Sequence, residues 1–448
     1  MNPSKTSRNN LLLFWILWLC TLPLLSTAEI FRVKFDAPGP VPDGLTWETA
    51  FQSIQAGVDV AYDAGGGEVW VAAGNYMPSS NPVVTMREGV AIYGGFAGTE
   101  TARDQRDWTV NITTINGMGS SRCIFGANHS TLDGVTISGG YNPGSGGGMV
   151  NEACSPTVEN CTFNLNQAFN GGAIYNNNSA APIVTHCSFT SNRADYGAGM
   201  YNNNTAAPVI TQCVFQANTA TLKGGGIYNG AASPVITNSS FGGNVSEGKG
   251  GAIYSWQGAP RAEGCDFGGN TALGEGGAVY HESSSASRVS GCTFTNNSAV
   301  NGGALYNEYS DIGVTGCDFV GNTAEDSGGA MLNYFCSPAL TQCGFDANHA
   351  QGYGGAIFNQ EINSSAIQSC IFTGNTGKYG GGIANLYDAS PSLTGCGFIA
   401  NIAEKGGGMY SFASGPSLSE CQFSGNAADM GGRHVSVSVG DNAPVLRI

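Results

Sequence analysis

The segment Cys161–Asn176, which reads CTFNLNQAFNGGAIYN, contains the unit that decides the fold. Phe163 stands two residues after a cysteine, and an asparagine follows it three residues later. A Gly-Gly pair then opens the short apolar stretch Ala173–Tyr175. Short apolar runs bounded by Gly and Asn are typical of β-strands joined by tight bends.

The same unit recurs along most of the chain at intervals of 25 to 27 residues. The recurring phenylalanines, each followed three residues later by Asn, are Phe163, Phe189, Phe215, Phe241, Phe267, Phe294, Phe319, Phe345, Phe372, Phe398 and Phe423. Two more apolar columns accompany them, one through Ile174 and one through Val184. Stacked turns of this kind bury one continuous core. We therefore predict an all-β, single-stranded right-handed parallel β-helix of roughly 14 turns, about 26 residues per turn, with three short strands in each turn.

Two asparagine columns have a structural interpretation. One lies three residues after each Phe, and the other runs through Asn176, Asn202 and Asn307. Asn tolerates left-handed backbone, and its amide can bond to the copies above and below. We favour this interpretation over ligand binding.

Cysteines form a column of their own. Ten of them lie two residues before the repeat phenylalanine, at Cys161, Cys187, Cys213, Cys265, Cys292, Cys317, Cys343, Cys370, Cys396 and Cys421, and Ser239 takes the place in the remaining repeat. Exported chains permit disulfides, but this position points inward, so we expect free, buried thiols. A single column does not converge on a metal, so no metal site is predicted.

Composition excludes some function classes. The net charge is −15 and only 11 % of the residues are charged. No basic stripe is available to neutralise phosphates, which argues against nucleic acid as a partner. Disorder is the other reading of a chain with 68 glycines, but 21 Phe and 17 Tyr are too many for a disordered protein.

The chain divides into four parts. Residues 1–28 combine Lys5 and Arg8 with an apolar run and end in small residues, as a signal peptide does, although an uncleaved anchor is the alternative. Residues 29–140 contain a helix within Trp47–Ala64, which we expect to cap the stack, then a first strand at Glu68–Val71 and irregular rungs. Regular repeats fill 141–432, and a last strand or tail fills 433–448. No later segment is long and apolar enough to span a membrane, so a secreted or cell-surface protein is expected.

These repeats resemble known families. Phe-x-x-Asn paired with Gly-Gly-Ala-Ile is similar to the repeat of the polymorphic outer-membrane proteins, which are surface adhesins. The segments Ile92–Phe96 and Gln105–Trp108 resemble the opening of bacterial secreted right-handed β-helix proteins. The wider pectate-lyase-like superfamily implies polysaccharide lyases, hydrolases and epimerases. Fold alone selects none of these activities.

Candidate ligand-binding residues break the repeat in the loops that follow the Asn176-type column. They are Trp256, Glu282, Glu308, Asp311, Tyr334, Tyr387, Asp388 and Phe412. In a regular stack they line one edge, and aromatic rings beside carboxylates suit sugars. The alternative is a solvated loop edge. The tyrosine column through Tyr175 and Tyr280 is a second candidate sugar platform, with ring stacking within a sheet as its alternative.

A catalytic set can also be drawn from the sequence. A lyase needs a base beside the uronate carboxylate and a cation for the developing charge. His281 and Tyr309 with Arg261 and Arg288, which stand six residues before consecutive repeat phenylalanines, supply those groups. Alternatively His281 replaces Asn in the column and the arginines lie on another face. Neither an aspartate cluster for calcium nor a paired Asp-Asp motif is present, and no cofactor is implied.

Two functions follow from these observations. The first is a non-catalytic adhesin or glycan-binding scaffold whose partner is a polysaccharide or a host or matrix surface. The second is a polysaccharide lyase that acts on uronate glycans. Low charge and uniform rungs favour the first.

Overall fold

Four parallel sheets run along one long axis, and the chain passes through each of them once per turn. This computed structural model describes residues 29–39 and 41–438. Going along the chain, a regular turn visits the first, second, third and fourth sheets in that order. The predicted solenoid of about 26 residues per turn is confirmed, but the prediction of three strands per turn is wrong.

The strands of the sheets are as follows. The first sheet contains Ile30–Val33, Gly67–Ala72, Val90–Phe96, Thr131–Asp133, Thr157–Glu159, Ile183–Thr185, Val209–Thr211, Val235–Thr237, Arg261–Glu263, Arg288–Ser290, Gly313–Thr315, Ala339–Thr341, Ala366–Gln368, Ser392–Thr394 and Ser417–Ser419. The second contains Gly74–Tyr76, Thr113–Asn116, Thr136–Ser138, Thr162–Asn164, Ser188–Thr190, Val214–Gln216, Ser240–Gly242, Asp266–Gly268, Thr293–Thr295, Asp318–Val320, Gly344–Asp346, Ile371–Thr373, Gly397–Ile399 and Gln422–Ser424. The third contains Tyr141–Ser145, Gln167–Asn170, Arg193–Tyr196, Thr219–Lys223, Val245–Ser246, Thr271–Ala272, Ser298–Asn301, Thr323–Ser327, His349–Ala350, Thr376–Tyr379, Ile402–Lys405 and Ala427–Ala428. The fourth contains Val84–Thr85, Ile124–Phe125, Met149–Glu152, Ile174–Asn177, Met200–Asn203, Ile227–Gly230, Ile253–Trp256, Val279–Glu282, Leu305–Glu308, Met331–Tyr334, Ile357–Gln360, Ile383–Leu386, Met409–Phe412 and Val435–Ser438.

The third sheet is the one that the sequence did not predict. Its inward column consists mainly of alanine, for example Ala168, Ala220 and Ala324, and each of these is buried. Alanine carries little apolar surface, so the column gave no clear periodic signal between the Phe and Gly-Gly positions. The extra strand explains how one turn accommodates 26 residues.

Like side chains stack on like at each rung. Phe163 pairs with Phe189 and Phe189 with Phe215 in the second sheet, and their rings stack at centroid distances of 5.0 and 4.5 Å. Burying each Phe contributes roughly 1.5–3 kcal/mol to folding, so this column is a large part of the core.

The asparagine columns are internal ladders, which confirms the predicted bonding between copies, whereas the left-handed backbone is found at neighbouring residues such as Leu165 and Ser191. The Asn166 Nδ2 donates to Asn192 Oδ1 at 3.0 Å, and Asn192 donates in the same way to Asn218. The second ladder starts with Asn151, whose Nδ2 donates to Asn176 Oδ1 at 2.8 Å. All of these amides are buried. Because a buried polar group must be paired, each ladder also fixes the register of its rungs.

The cysteines are free thiols, as predicted. All thirteen that the structure describes are unpaired and buried, except that Cys421 in the last complete turn is half-buried. Ser239 fills its place in the column by donating to Thr237 O at 2.9 Å and accepting from Cys213 N at 3.1 Å.

The N-terminal end is covered by the helix Ile54–Asp63, and a single 3₁₀ turn, Arg103–Gln105, lies further along. Ser53 caps the helix by accepting from Ala56 N at 3.3 Å. Its apolar face, with Ile54 and Val58 buried, contacts the first two strands of the first sheet. The predicted cap helix is confirmed. The prediction of a first strand at Glu68–Val71 is wrong, because Ile30–Val33 precedes it and pairs with it in parallel.

The described chain ends in one further strand of the fourth sheet. The last strand, Val435–Ser438, lies within the predicted tail and pairs with Met409–Phe412. The predicted signal peptide, residues 1–28, lies outside the described residues. In the described part of the chain, no helix has the length and apolarity needed to cross a bilayer.

Candidate functional site

One row of residues follows the outer edge of the fourth sheet; Trp256 is exposed, Leu386 is buried, and the other members are half-buried. Backbone pairing places its residues in register, one on each rung, and we call them the edge row: Trp256, Glu282, Glu308, Tyr334, Gln360, Leu386 and Phe412. Five of the eight predicted ligand-binding residues are members of this row. Their expected alignment along one edge is confirmed, whereas their binding role stays a prediction.

The other three lie in the corners that lead from the fourth sheet to the first. Asp311 accepts a hydrogen bond from Ser337 N at 2.6 Å, so it ties its own corner to the next. Tyr387 and Asp388 adopt left-handed backbone, with φ of 57° and 63°. The Tyr387 ring remains 46 % exposed. Of these three, Tyr387 is therefore the one with an aromatic surface available to a ligand.

A tyrosine stack runs beside the first part of the edge row. It comprises Tyr175, Tyr201, Tyr228, Tyr254, Tyr280 and Tyr306, with centroids 4.7–5.4 Å apart. Tyr254 and Tyr280 are almost fully buried. The ring-stacking interpretation is therefore confirmed, and these two rings offer no sugar platform.

Charged side chains cover those two rings. Lys223 Nζ lies 2.6 Å from the Tyr254 hydroxyl, which donates to Glu282, and the lysine is 4.2 Å from the ring centroid. One rung on, Lys249 Nζ lies 2.6 Å from the hydroxyl of Tyr280. That hydroxyl in turn donates to Glu308.

Each tyrosine hydroxyl is thus shared between a lysine and a member of the edge row. Burial lowers the pKa of Lys223, and burial together with the neighbouring carboxylates raises the pKa of both tyrosines. Glu282 and Glu308 are therefore partly committed to the fold. The sequence analysis missed the lysines, although both stand directly before a Gly-Gly pair in consecutive repeats.

An open cleft lies next to the end of the tyrosine stack. Its volume is about 270 Å³. Side chains from the third and fourth sheets and one corner line it, among them Tyr306, Asp326, Tyr353, Phe358, Gln360 and Tyr387. Of these residues, the sequence had indicated Tyr387 as a ligand-binding residue, and Tyr306 and Phe358 as members of the tyrosine column. Asp326 and Tyr353 lie in the third-sheet region, which the sequence did not predict, so no pattern placed them beside Tyr387.

His281 lies inside the solenoid. It is 3 % exposed and takes the inward position that Ser255 and Asn307 occupy on the neighbouring rungs. Burial lowers its pKa to about 4, and neither ring nitrogen has a hydrogen-bond partner within the described chain. Because no polymer can reach it, the prediction that His281 acts as the base is corrected, and it is a substitute for Asn in the column.

Arg261 and Arg288 are neighbours in register on the outer face of the first sheet. Their stacking on one face is confirmed. Tyr309 lies elsewhere, in a fourth-to-first-sheet corner with φ of 49°, where its ring stacks on Phe335 at 5.6 Å. His281, Arg261 and Arg288 line one apolar cavity, but its volume of about 20 Å³ holds little more than one water, and Tyr309 is not part of its lining. The predicted quartet therefore does not converge in one groove.

Residues 29–39 and 41–438 contain no group of three or more His, Cys, Asp or Glu side chains arranged to hold a metal ion. The chemistry that the described face offers is thus that of aromatic rings, amides, carboxylates and two lysines.

Residues 100–272 and 259–398 match the family described as "Right handed beta helix region". The chain belongs to this family. The matched segments cover more than half of its length, and the family description gives the handedness of the solenoid. The finer resemblance to repeats of polymorphic outer-membrane proteins stays a prediction.

Some relatives in sequence are mannuronan C5-epimerases of Azotobacter vinelandii. AlgE1 and AlgE3 are each 34 % identical to this right-handed β-helix chain over 125 residues, which is 24 % of this chain. The matched segment spans only 9 % of AlgE1 and 7 % of AlgE3.

Some solved structures are similar to this chain at low sequence identity. The tailspike protein of Escherichia coli bacteriophage HK620, in complex with a pentasaccharide, has a TM-score of 0.43 and 14 % identity and covers 86 % of this chain and 76 % of its own. The Streptococcus pneumoniae surface adhesin PfbA has a TM-score of 0.37 and 12 % identity, covering 83 % and 86 %. The A-module of Azotobacter vinelandii AlgE6 has a TM-score of 0.31 and 14 % identity, covering 87 % and 94 %. At such values these similarities say nothing about what this chain binds.

Proposed function

We propose that this protein is a secreted or cell-surface β-helix that binds a polysaccharide without modifying it, through the edge row and the adjoining cleft. The observation that carries the proposal is the edge row itself. It places Trp256, Tyr334 and Phe412 on one edge, in register with two carboxylates and an amide.

The chemistry of the edge row suits a sugar polymer. Aromatic rings cover the apolar faces of pyranoses, while carboxylate and amide groups bond to their hydroxyls. Parallel strands hold successive row residues roughly 4.8 Å apart, so the surface is long and regular. The backbone hydrogen bonds of every rung keep it rigid, which lowers the entropy lost when an extended polymer binds.

The same geometry weighs against catalysis by the residues first suggested. The His281 ring is inside the solenoid, and Arg261 and Arg288 project from the outer face of another sheet. The cavity that they line holds little more than one water, so a sugar unit has no room beside the His281 ring for proton abstraction.

A uronate-modifying enzyme is the second candidate, as a lyase or an epimerase. The observation in its favour is the 34 % identity over 125 residues to mannuronan C5-epimerases. Such an enzyme would have to use groups other than the predicted quartet.

The test is retention of the purified protein on a panel of immobilised polysaccharides, with absorbance of unsaturated uronates followed in parallel. Binding without new absorbance or a change in uronate stereochemistry is expected. Trp256→Ala, which removes a 38 % exposed ring from the edge row, should weaken retention. Tyr62→Ala removes a 49 % exposed ring from the cap helix and serves as the control. Product formation from any polyuronate would replace this proposal by the second candidate.

A further inference from the structure

The cleft opens where the tyrosine stack stops. Six consecutive rungs carry a tyrosine at this position, the next three carry Leu332, Phe358 and Ala384, and the column then resumes with Tyr410. Tyr306 therefore stacks on Tyr280 on one side, and no aromatic ring of the described chain stacks on its other side. On that side Leu332 takes the corresponding position of the next rung, and both Tyr306 and Leu332 line the cleft.

Neighbouring aromatic rings form one wall of the cleft. Tyr353 stacks on Phe358 at 5.3 Å and on Tyr379 at 4.9 Å, so it is held in place by both. Leu332 and Phe358 are buried beneath the cleft. The corner residue Tyr387 contributes the most exposed ring of the lining. The result is an aromatic slot with a fixed floor and walls.

Two polar side chains also line this slot. One carboxylate oxygen of Asp326 accepts from Ser327 Oγ at 3.2 Å, and the other has no donor among residues 29–39 and 41–438. Gln360 adds a partly exposed amide from the edge row. An unoccupied carboxylate oxygen and an amide are the groups that bind sugar hydroxyls.

The charge of the slot decides between classes of sugar. Asp326 is the only charged residue of its lining, and it is negative. Lys249, the lysine beside the stack, already contacts Glu275 and Glu308 at 3.7 and 3.8 Å. Lys378 and Lys405 lie against the Tyr379 ring, outside the lining. With a net charge of −15, the protein repels a polyanion at low salt.

We propose that this cleft binds one pyranose unit of an uncharged polysaccharide. The pyranose lies over Leu332 against the accessible part of Tyr306, contacts Tyr387, and donates a hydroxyl to Asp326. The inference rests on the proposed glycan-binding function and specifies its ligand class and its principal subsite.

Three variants test the subsite. Leu332→Tyr extends the tyrosine stack by one ring and fills the cleft, at a position where seven other rungs carry tyrosine. Tyr387→Ala removes the exposed ring, and Asp326→Asn removes the charge while keeping the shape. Each should lower affinity about tenfold for the polymer that is bound. Tyr62→Ala, at the opposite end of the molecule, is the matched control, and circular dichroism checks that every variant is folded.

The probes are soluble mixed-linkage β-glucan, galactomannan and dextran as neutral polymers, with alginate and polygalacturonate as acidic ones, each at low and high salt. Retention by at least one neutral polymer, lost in the three variants, is the expected result. Preference for an acidic polymer, or retention that the three variants leave unchanged, would overturn this inference and leave the proposed glycan-binding function standing. Retention by none of the polymers would overturn the proposed function, and the inference with it.

Discussion

His281 interrupts the amide ladder directly before Asn307. On the N-terminal side the ladder ends with Asn229, whose Nδ2 donates to Ser255 Oγ at 3.1 Å. On the C-terminal side it resumes with Asn307, whose Nδ2 donates to Asn333 at 2.8 Å. Asn307 Oδ1 and both His281 ring nitrogens have no partner within the described chain. One buried rung therefore lacks the hydrogen bonds that its neighbours make.

His281→Asn should repair this rung. The new amide can donate to Asn307 Oδ1 and accept or donate at Ser255, so we expect the free energy of unfolding to rise by about 1 kcal/mol. The smaller side chain enlarges the adjacent cavity, which keeps the gain modest. Urea denaturation measures the change. Asn333→Ala, in the intact ladder, is the contrasting variant and should lose about 2 kcal/mol. A destabilised His281→Asn protein would show that the imidazole contributes more by packing than it costs in lost hydrogen bonds.

His281 also gives stability a pH dependence. Burial lowers its pKa to about 4 in the folded chain, whereas an unfolded histidine has a pKa of about 6.5. Between these values the unfolded state binds a proton that the folded state does not, so stability contributed by this residue is present above about pH 6.5 and is lost as the pH falls towards 4.

The measurement is the difference in unfolding free energy between wild type and His281→Asn at pH 7 and pH 4. The carboxylates titrate equally in both proteins and cancel. We expect the difference to shift in favour of the variant by about 3 kcal/mol at the lower pH. A difference that does not change with pH would mean that the imidazole stays paired or solvated in the fold.

The shared tyrosine hydroxyls should stabilise the stack. Tyr280→Phe removes the hydroxyl that joins Lys249 to Glu308, so the free energy of unfolding should fall by about 1 kcal/mol. Tyr201→Phe is the control, because it removes a hydroxyl from the same stack at a rung without such a lysine and glutamate. Equal losses in the two variants would show that the hydrogen bonds of the Tyr280 hydroxyl to Lys249 and Glu308 add no stability.

Thiol reactivity should follow position along the column. Cys421 is the half-buried thiol, and the other twelve described thiols are buried. Burial keeps these twelve thiols from the reagent, and at Cys123 and Cys336 it also raises the pKa to about 12, so the reactive thiolate is scarce there. In the native protein, Ellman's reagent should modify Cys421 first and the others only on unfolding. Cys421→Ser should abolish the fast phase, and rapid modification of several thiols would indicate that the turns open in solution.

The sequence predicted those parts of the molecule that repeat. Large or unusual side chains at fixed spacing, such as Phe163 with Asn166, identify the second sheet and its bend. The third sheet was not predicted because its inward residue is mostly alanine, for example Ala220, and its outward residues vary. Residue spacing thus revealed the solenoid and the turn count but not how many sides a turn has.

The candidate site was predicted in part for a similar reason. Trp256 and Phe412 could be aligned by counting repeats, since both follow the inward column of one sheet. Asp326 and Tyr353 belong to the unpredicted sheet, so their closeness to Tyr387 depends on how two sheets meet. The sequence likewise placed His281 in an inward column, but periodicity alone did not say whether its ring would be reachable.

The asparagine ladders give the molecule an electrical direction. In each ladder the carboxamide oxygen faces the N-terminal neighbour and the Nδ2 group faces the C-terminal neighbour, as in Asn166 to Asn192 and Asn151 to Asn176. Dipoles aligned head to tail add, as peptide dipoles do in an α-helix. The side-chain bonds between successive asparagines therefore contribute a dipole along the axis, with its negative end towards the cap helix.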